Sequence, residues 1–97
     1  MYVRVVRFAD VTAERVDQLV ARVEQEQGPP AGVTMTALEL LFDPAQGTAV
    51  VLQRFESEED MRTGGEVFAA MDAADTPGVR ASVDTCELKL ERRVAAP

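Results

Sequence analysis

The chain has 97 residues, and the usual size of protein domains predicts a single domain over residues 1–97. Its formal charge of −7, from 17 acidic and 10 basic residues, argues against nucleic-acid and anionic-membrane partners, which require a clustered basic face. A hydrophobic fraction of 46% with 28% charged residues is typical of a globular domain and not of a disordered chain.

A strand and a helix are predicted first. The segment YVRVVRF, Tyr2 to Phe8, is rich in β-branched and aromatic residues and has apolar side chains at odd and even positions, which predicts a strand covered on both faces. Thr12 is the predicted N-cap of the helix that follows, and Gly28 with two prolines after it predicts the end. One apolar stripe recurs there at helical spacing: Val16, Leu19, Val20 and Val23.

Two more strands and a second helix follow. VTMTALELLFDPAQGTAVVLQRF consists of two apolar runs around a short connection with Pro44 early and Gly47 late, which is typical of a hairpin. Ser57 is then a predicted N-cap, with Asp60 three residues later in a capping-box position. We expect this helix to run to about Ala74.

The second helix contains two adjacent glycines, Gly64 and Gly65. In a helix interior each costs about 1 kcal/mol relative to alanine. Both fall on the apolar stripe of the helix, which comprises Met61, Gly64, Gly65, Phe68 and Met71. We therefore expect the glycines to permit close packing on the sheet or to break the helix near residue 64; the functional alternative is that they open one wall of a ligand pocket.

The last predicted element is a long strand, VRASVDTCELKLERRV, after a turn at Pro77–Gly78. The resulting order, βαββαβ, predicts an α+β, ferredoxin-like fold with a four-stranded antiparallel sheet and both helices on one face. The first three strands lack strict apolar alternation, so the uncovered face also favours burial. Packing two such faces together would form an α/β barrel across a homodimer.

The whole chain resembles the dimeric α/β-barrel superfamily, in particular the antibiotic-biosynthesis monooxygenase-like and related uncharacterised small proteins. The resemblance rests on the element order, on LQRFESEEDM between the third strand and the second helix, and on TPGVRASVDTCELKL before and within the last strand. It implies a homodimer with a cavity on the sheet face away from the helices. Because barrels of this kind carry many activities, it specifies fold far better than function.

Missing residue types limit the chemistry. The chain has no histidine, tryptophan or asparagine, so a serine or cysteine nucleophile would lack an imidazole base, and zinc or haem would lack its usual nitrogen ligand. The haem-degrading and haem-ligating branches of the superfamily are set aside on the same ground. We predict no cofactor and no metal. The single Cys86 cannot form an internal disulfide, and with no predicted leader or membrane span it favours the cytoplasm. Nine of the ten basic residues are arginine, which is typical of a GC-rich genome and favours a bacterial source.

Candidate catalytic residues follow from the assumption that odd positions of the first strand face the cavity. Arg7 and Glu39 could form a buried pair that orients a ligand, with a desolvated Glu39 as general base. Gln53, a candidate ligand-binding residue, would project the same way, as would Thr85 and Glu87. The alternative is that these side chains are solvated or ion-paired across the dimer.

The other parity offers candidate ligand-binding residues. Arg4 and Arg54 on neighbouring strands could bind a carboxylate or phenolate with two guanidiniums, or could pair with helix acids such as Glu14. Tyr2, which shares this parity, is the third candidate catalytic residue: it could donate a hydrogen bond to a substrate oxygen, or simply lie at the sheet edge with a hydrated hydroxyl. Phe68 on the second helix could line a ligand site or pack in the core.

Two functional interpretations follow. The first is an uncharacterised small homodimeric α/β-barrel protein that binds a small molecule between the sheet and its partner subunit. The second is a cofactor-independent monooxygenase-like enzyme that acts on an aromatic or polyketide-type substrate and relies on Arg7 or Arg4, Glu39 and Tyr2.

Overall fold

A four-stranded antiparallel sheet with strand order β2-β3-β1-β4 is the centre of the computed structural model, which describes residues 1–71 and 75–95. The strands and helices are β1 (Tyr2–Ala9), α1 (Ala13–Gln25), β2 (Ala37–Asp43), β3 (Thr48–Phe55), α2 (Glu58–Ala69) and β4 (Val79–Glu87). The α+β class and the βαββαβ order are as predicted, and they are compatible with a ferredoxin-like fold. Within the described residues, neither helix has the length and apolar character needed to cross a membrane.

Local side-chain hydrogen bonds explain where the helices and the hairpin begin. The Thr12 hydroxyl accepts from the Arg15 backbone N–H at 3.2 Å and caps α1, and the Ser57 hydroxyl accepts from the Asp60 backbone N–H at 3.0 Å and caps α2. Between β2 and β3, the Asp43 carboxylate accepts from two turn N–H groups at 3.1 Å each. Both predicted N-caps and the predicted hairpin are confirmed.

Two predicted element ends differ from the structure. Helix α2 ends at Ala69, and its predicted end at Ala74 lies outside the described residues. Strand β4 ends at Glu87 and does not continue along the predicted segment. Its neighbour β1 begins at Tyr2, so residues of β4 beyond Glu87 have no strand beside them. The last backbone hydrogen bond between these segments is donated by Leu88 N–H to the Met1 carbonyl oxygen, at 2.9 Å.

The strand register divides the side chains differently from the prediction. Residues directly opposite each other in an antiparallel pair share a face. Gln53 and Thr85 both lie opposite Arg4, and Glu87 lies opposite Tyr2, so all of them are on the face of Arg4 that α2 covers. Their assignment to the face of Arg7 was wrong, because each β1 residue from Tyr2 to Arg7 lies opposite residues of the other parity on both neighbouring strands.

We call the side of the sheet that carries Arg4 the helix face and the other side the open face. Arg54 lies opposite Val3 and is on the open face, so it does not share a side with Arg4 as predicted. According to the strand register, the open face includes the side chains of Val3, Val5, Arg7, Glu39, Leu41, Val50, Leu52, Arg54, Asp84 and Cys86.

The two helices cover the helix face unequally. Two buried clusters lie there, one formed by Val6, Phe8, Val11 and Ala49 and the other by Val33, Phe55 and Met61. Helix α2 supplies Met61 and Gly64 as buried residues, whereas α1 has none. On α1, Val16 packs against the first cluster, whereas Val20 and Val23 stay 39% and 38% exposed, so the later part of the predicted apolar stripe does not close onto the sheet.

The glycine pair of α2 lies directly on the sheet. A Cβ on Gly64 would be 2.8 Å from Cε1 of the fully buried Phe55, and a Cβ on Gly65 would be 3.3 Å from Nε of Arg4. The helix is continuous across both positions. Of the expectations for the glycines, the structure confirms close packing and shows no break near residue 64.

Replacing Gly64 by alanine tests this packing. We expect Gly64→Ala to lower the urea midpoint of unfolding, because overpacking a rigid core costs about 1–3 kcal/mol, more than helix propensity returns. Gly28→Ala is the matched control, since a Cβ there meets nothing within 4 Å. A stabilised Gly64→Ala protein would contradict the close approach.

Candidate functional site

An open volume of about 580 Å³ lies between α1 and the helix face of the sheet, and we call it the α1 cleft. Most of its walls are apolar. They come from the sheet, from α1, from α2 and from the residues just after α2, and include Val6, Phe8, Leu38, Leu40, Val51, Leu19, Val20, Val23, Phe68 and Met71. In the cleft, the apolar side chains of α1 and those of the edge strand β2 do not contact each other.

Polar contacts connect α1 to the segment before β4. Arg22 forms an ion pair with Asp75, and the Arg15 guanidinium donates to the backbone carbonyl of Thr76. Both partners belong to that segment and line the cleft. Gly28, Pro29 and Pro30, which follow α1 in the chain, also line it. The cleft is therefore bounded by α1, by the residues after it and by the segment before β4.

Arg4 brings a buried positive charge to this apolar volume. The residue is 4% exposed, and its Nη1 donates to Oε1 of the equally buried Gln53 at 2.8 Å. Its Cζ lies 5.9 Å from the ring centroid of Phe68, within the range of a cation–π contact. Among the ion pairs of the described residues none includes Arg4, so the charge has an amide and an aromatic ring as partners but no carboxylate.

The electrostatics of Arg4 are unfavourable in the isolated chain. Burial lowers the pKa of the Arg4 guanidinium below its usual value, and the nearby charge of Arg80 lowers it further. Arg80 also lines the cleft, and its Nη2 donates to the Phe68 backbone carbonyl at 3.3 Å. Arginine remains protonated despite such shifts. Two like charges thus lie near each other in the wall of an apolar cleft, and a bound anion would reduce their repulsion.

Three of the four predicted ligand-binding residues meet in this cleft. Arg4, Gln53 and Phe68 all line it. The fourth, Arg54, is on the open face and pairs with Glu39 at 3.0 Å and with Glu91 at 3.5 Å. Because the sheet separates Arg54 from Arg4, the two do not form the predicted pair of guanidiniums.

The predicted catalytic residues are not brought together within one chain. Arg7 pairs with Asp84 on β4, and Glu39 pairs with Arg54 on β3, so the predicted Arg7–Glu39 pair is absent. Both lie on the open face, with side chains 52% and 48% exposed. Tyr2 is on the helix face, packed against the cluster that contains Phe55.

Sequence reasoning missed the α1 and β2 walls of the cleft and Arg80. The α1 stripe was visible as apolar periodicity, but periodicity does not report how far a helix stands from a sheet. Arg80 follows a turn and had no signal. Elsewhere in residues 1–71 and 75–95, no three His, Cys, Asp or Glu side chains are arranged to hold a metal ion.

Comparisons with protein-family models, with curated proteins and with solved structures found no match to this chain. What the structure supports of the resemblance is therefore the architecture: a small α+β domain with two helices and a four-stranded antiparallel sheet.

The Arg4–Gln53 contact predicts an unusual stability pattern. Gln53→Met should lower the free energy of unfolding by about 2–3 kcal/mol, because it leaves a buried guanidinium without its hydrogen-bond acceptor. Arg4→Met in that background should restore most of the loss, since it removes the buried charge itself. Urea unfolding of the single and double variants measures both changes.

Arg54→Met is the control for this cycle, because Arg54 is partly exposed and its ion pairs should contribute at most about 1 kcal/mol. If the effects of Gln53→Met and Arg4→Met on the free energy of unfolding are independent and additive, the prediction is wrong. That result would show that Gln53 does not compensate the destabilising burial of the Arg4 charge.

Proposed function

We propose that this protein is a homodimeric small-molecule-binding protein and that its ligand lies in the α1 cleft. The observation that carries the proposal is a volume of about 580 Å³ with apolar walls and a buried, polar focus at Arg4 and Gln53. Small-molecule sites generally have volumes of about 300–1,000 Å³, apolar walls and a few converging polar groups. The α1 cleft has each of these properties.

This proposal places the ligand on the opposite side of the sheet from the site expected between subunits. The described residues form the cleft without any contribution from a second chain. A cavity on the open face would require the partner sheet and stays a prediction. The two sites are distinguishable, because they are lined by residues from opposite faces of the same strands.

The homodimer part of the proposal is supported by the open face. Leu41 is 53% exposed there, and Val5, Val50 and Leu52 are partly buried beside it. The charged side chains of this face pair within the chain, Arg7 with Asp84 and Arg54 with Glu39, so burying the face would not strand an isolated charge. Packing two open faces would make the barrel that the family resemblance implies.

A charge on the open face should separate the subunits. We expect the wild-type chain to be a dimer at micromolar concentration and Leu41→Glu to be a monomer, because an unpaired carboxylate would be buried between the sheets. Light scattering during size-exclusion chromatography measures the mass. Leu38→Glu is the matched control: Leu38 is on the same strand, is 40% exposed and lines the cleft on the other face. A monomeric wild type, or dissociation by Leu38→Glu alone, would contradict the assignment.

A tryptophan on α1 should report ligand entry. The chain has no tryptophan, so Val23→Trp places a single fluorophore on the cleft wall and Ala21→Trp places one on an exposed position outside it. With the neutral dye N-phenylnaphthylamine, we expect saturable energy transfer from the indole of the Val23→Trp variant and much weaker transfer from that of the Ala21→Trp variant. Equal transfer in both variants, or none in either, would contradict binding in the cleft.

The monooxygenase-like alternative stays a prediction. Its candidates Arg7 and Glu39 are on one face and Tyr2 is on the other, so no observed geometry favours it. We also propose a cytoplasmic location, on the ground that the lone Cys86 has no second cysteine with which to form an internal disulfide.

A further inference from the structure

We propose that the ligand of the α1 cleft is an amphipathic monocarboxylate, an uncharged apolar body with one carboxylate that pairs with Arg4. This inference rests on the proposed function, since it assumes that the cleft is occupied. It adds the charge of the ligand, the end of the cleft at which its charged group lies, and the residue that binds it.

The charge of Arg4 is costly in the ligand-free protein. Arg4 as a whole residue is only 4% exposed, so its charged side chain has lost much of its contact with water. Buried charges in proteins are paired or otherwise compensated, because an uncompensated one is strongly destabilising. In residues 1–71 and 75–95 the hydrogen bond of the Arg4 side chain is the one to Gln53, a neutral amide. A ligand carboxylate would supply the missing negative charge.

The geometry of the Arg4 donors suits a carboxylate. A guanidinium is planar and presents its N–H groups as a fork, which matches a carboxylate. Nη1 of Arg4 is held by Gln53, the ring of Phe68 lies beside the guanidinium, and Gly65 lets α2 lie close over its Nε. The donor group is therefore fixed in place before a ligand arrives. Preorganisation of this kind reduces the entropic cost of binding.

The charged residues of the cleft favour a single carboxylate on the ligand. Arg80 lines the cleft and is close enough to Arg4 to perturb it electrostatically, which adds positive charge near Arg4. Arg22 and Asp75 also line the cleft but pair with each other, whereas the lining acids Glu24 and Glu26 lie near the C-terminal end of α1. A second carboxylate on the ligand would meet these acids, whereas an apolar tail would meet Leu19, Val23 and Leu40. One carboxylate on an apolar body is the charge pattern that fits.

Competition among three probes of equal chain length tests the inference. Decanoate, decanol and decylamine are each titrated against the full-length wild-type protein loaded with N-phenylnaphthylamine, at a pH where the acid is ionised. We expect decanoate to displace the dye at least about tenfold more tightly than decanol, in keeping with a charge-assisted pair, and decylamine to bind weakest. This comparison needs no variant and so does not depend on how a mutant folds.

Two substitutions with the same change of charge then locate the effect. Arg4→Gln should reduce decanoate binding to the level of decanol and leave decanol binding unchanged. Arg62→Gln, at an exposed position of α2 outside the cleft, should keep the wild-type preference. If Arg4→Gln does not fold, Arg4→Lys keeps the charge without the planar fork, and we expect it to retain part of the preference for decanoate.

The outcomes separate the two proposals. Equal binding of decanoate and decanol by the wild type would overturn the carboxylate assignment and leave small-molecule binding in place. A preference for decylamine would overturn it as well. A preference for decanoate that survives Arg4→Gln would also overturn the role of Arg4. Failure of the dye and all three probes to bind would overturn both the inference and the proposed function.

Discussion

The contact on which the rest of the structure depends is the close approach of α2 to strands β1 and β3 across Gly64 and Gly65. Without side chains at these positions, the helix backbone lies against the Phe55 ring and the Arg4 side chain. That approach has two consequences. It completes the buried cluster around Phe55, and it removes Arg4 from water although Arg4 carries a charge. The energetic cost of two helix glycines is thus linked to the feature that makes the cleft chemically specific.

The two helices pack on the helix face to different extents. Helix α2 packs tightly and buries residues at the end of the sheet that contains Phe55. Helix α1 buries none and is connected through Arg15 and Arg22 to the segment before β4, which leaves an apolar volume beneath it. The closely packed α2 side holds the charge of Arg4 in a fixed position, and the α1 side is loosely packed. This arrangement suits a binding site, because a ligand can make the contacts that are missing beneath α1 in the ligand-free protein.

Much of this fold followed from the sequence, because its signals are local. The Thr12 and Ser57 caps, the Asp43 to Gly47 hairpin and the buried glycine stripe depend on residues a few positions apart. The strand faces were wrong where they depended on register, which is set by pairing between distant strands: Gln53 joins Arg4, whereas Arg54 joins the open face. The cleft could not be predicted, since it depends on the distance between α1 and the sheet. Arg4 was a candidate, but its burial beneath α2 is a tertiary property.

Hydrogen exchange at the Arg4 side-chain Nε–H, followed by NMR in the ligand-free protein, tests the central claim most directly. Arg4 Nε lies under Gly65, and Arg62 on the same helix is exposed, so each spectrum contains its own reference. The account predicts that the Arg4 signal exchanges at least about a hundredfold more slowly than the Arg62 signal, because opening of α2 must precede exchange. Equal exchange rates for the two signals would show a solvated Arg4 and contradict the account.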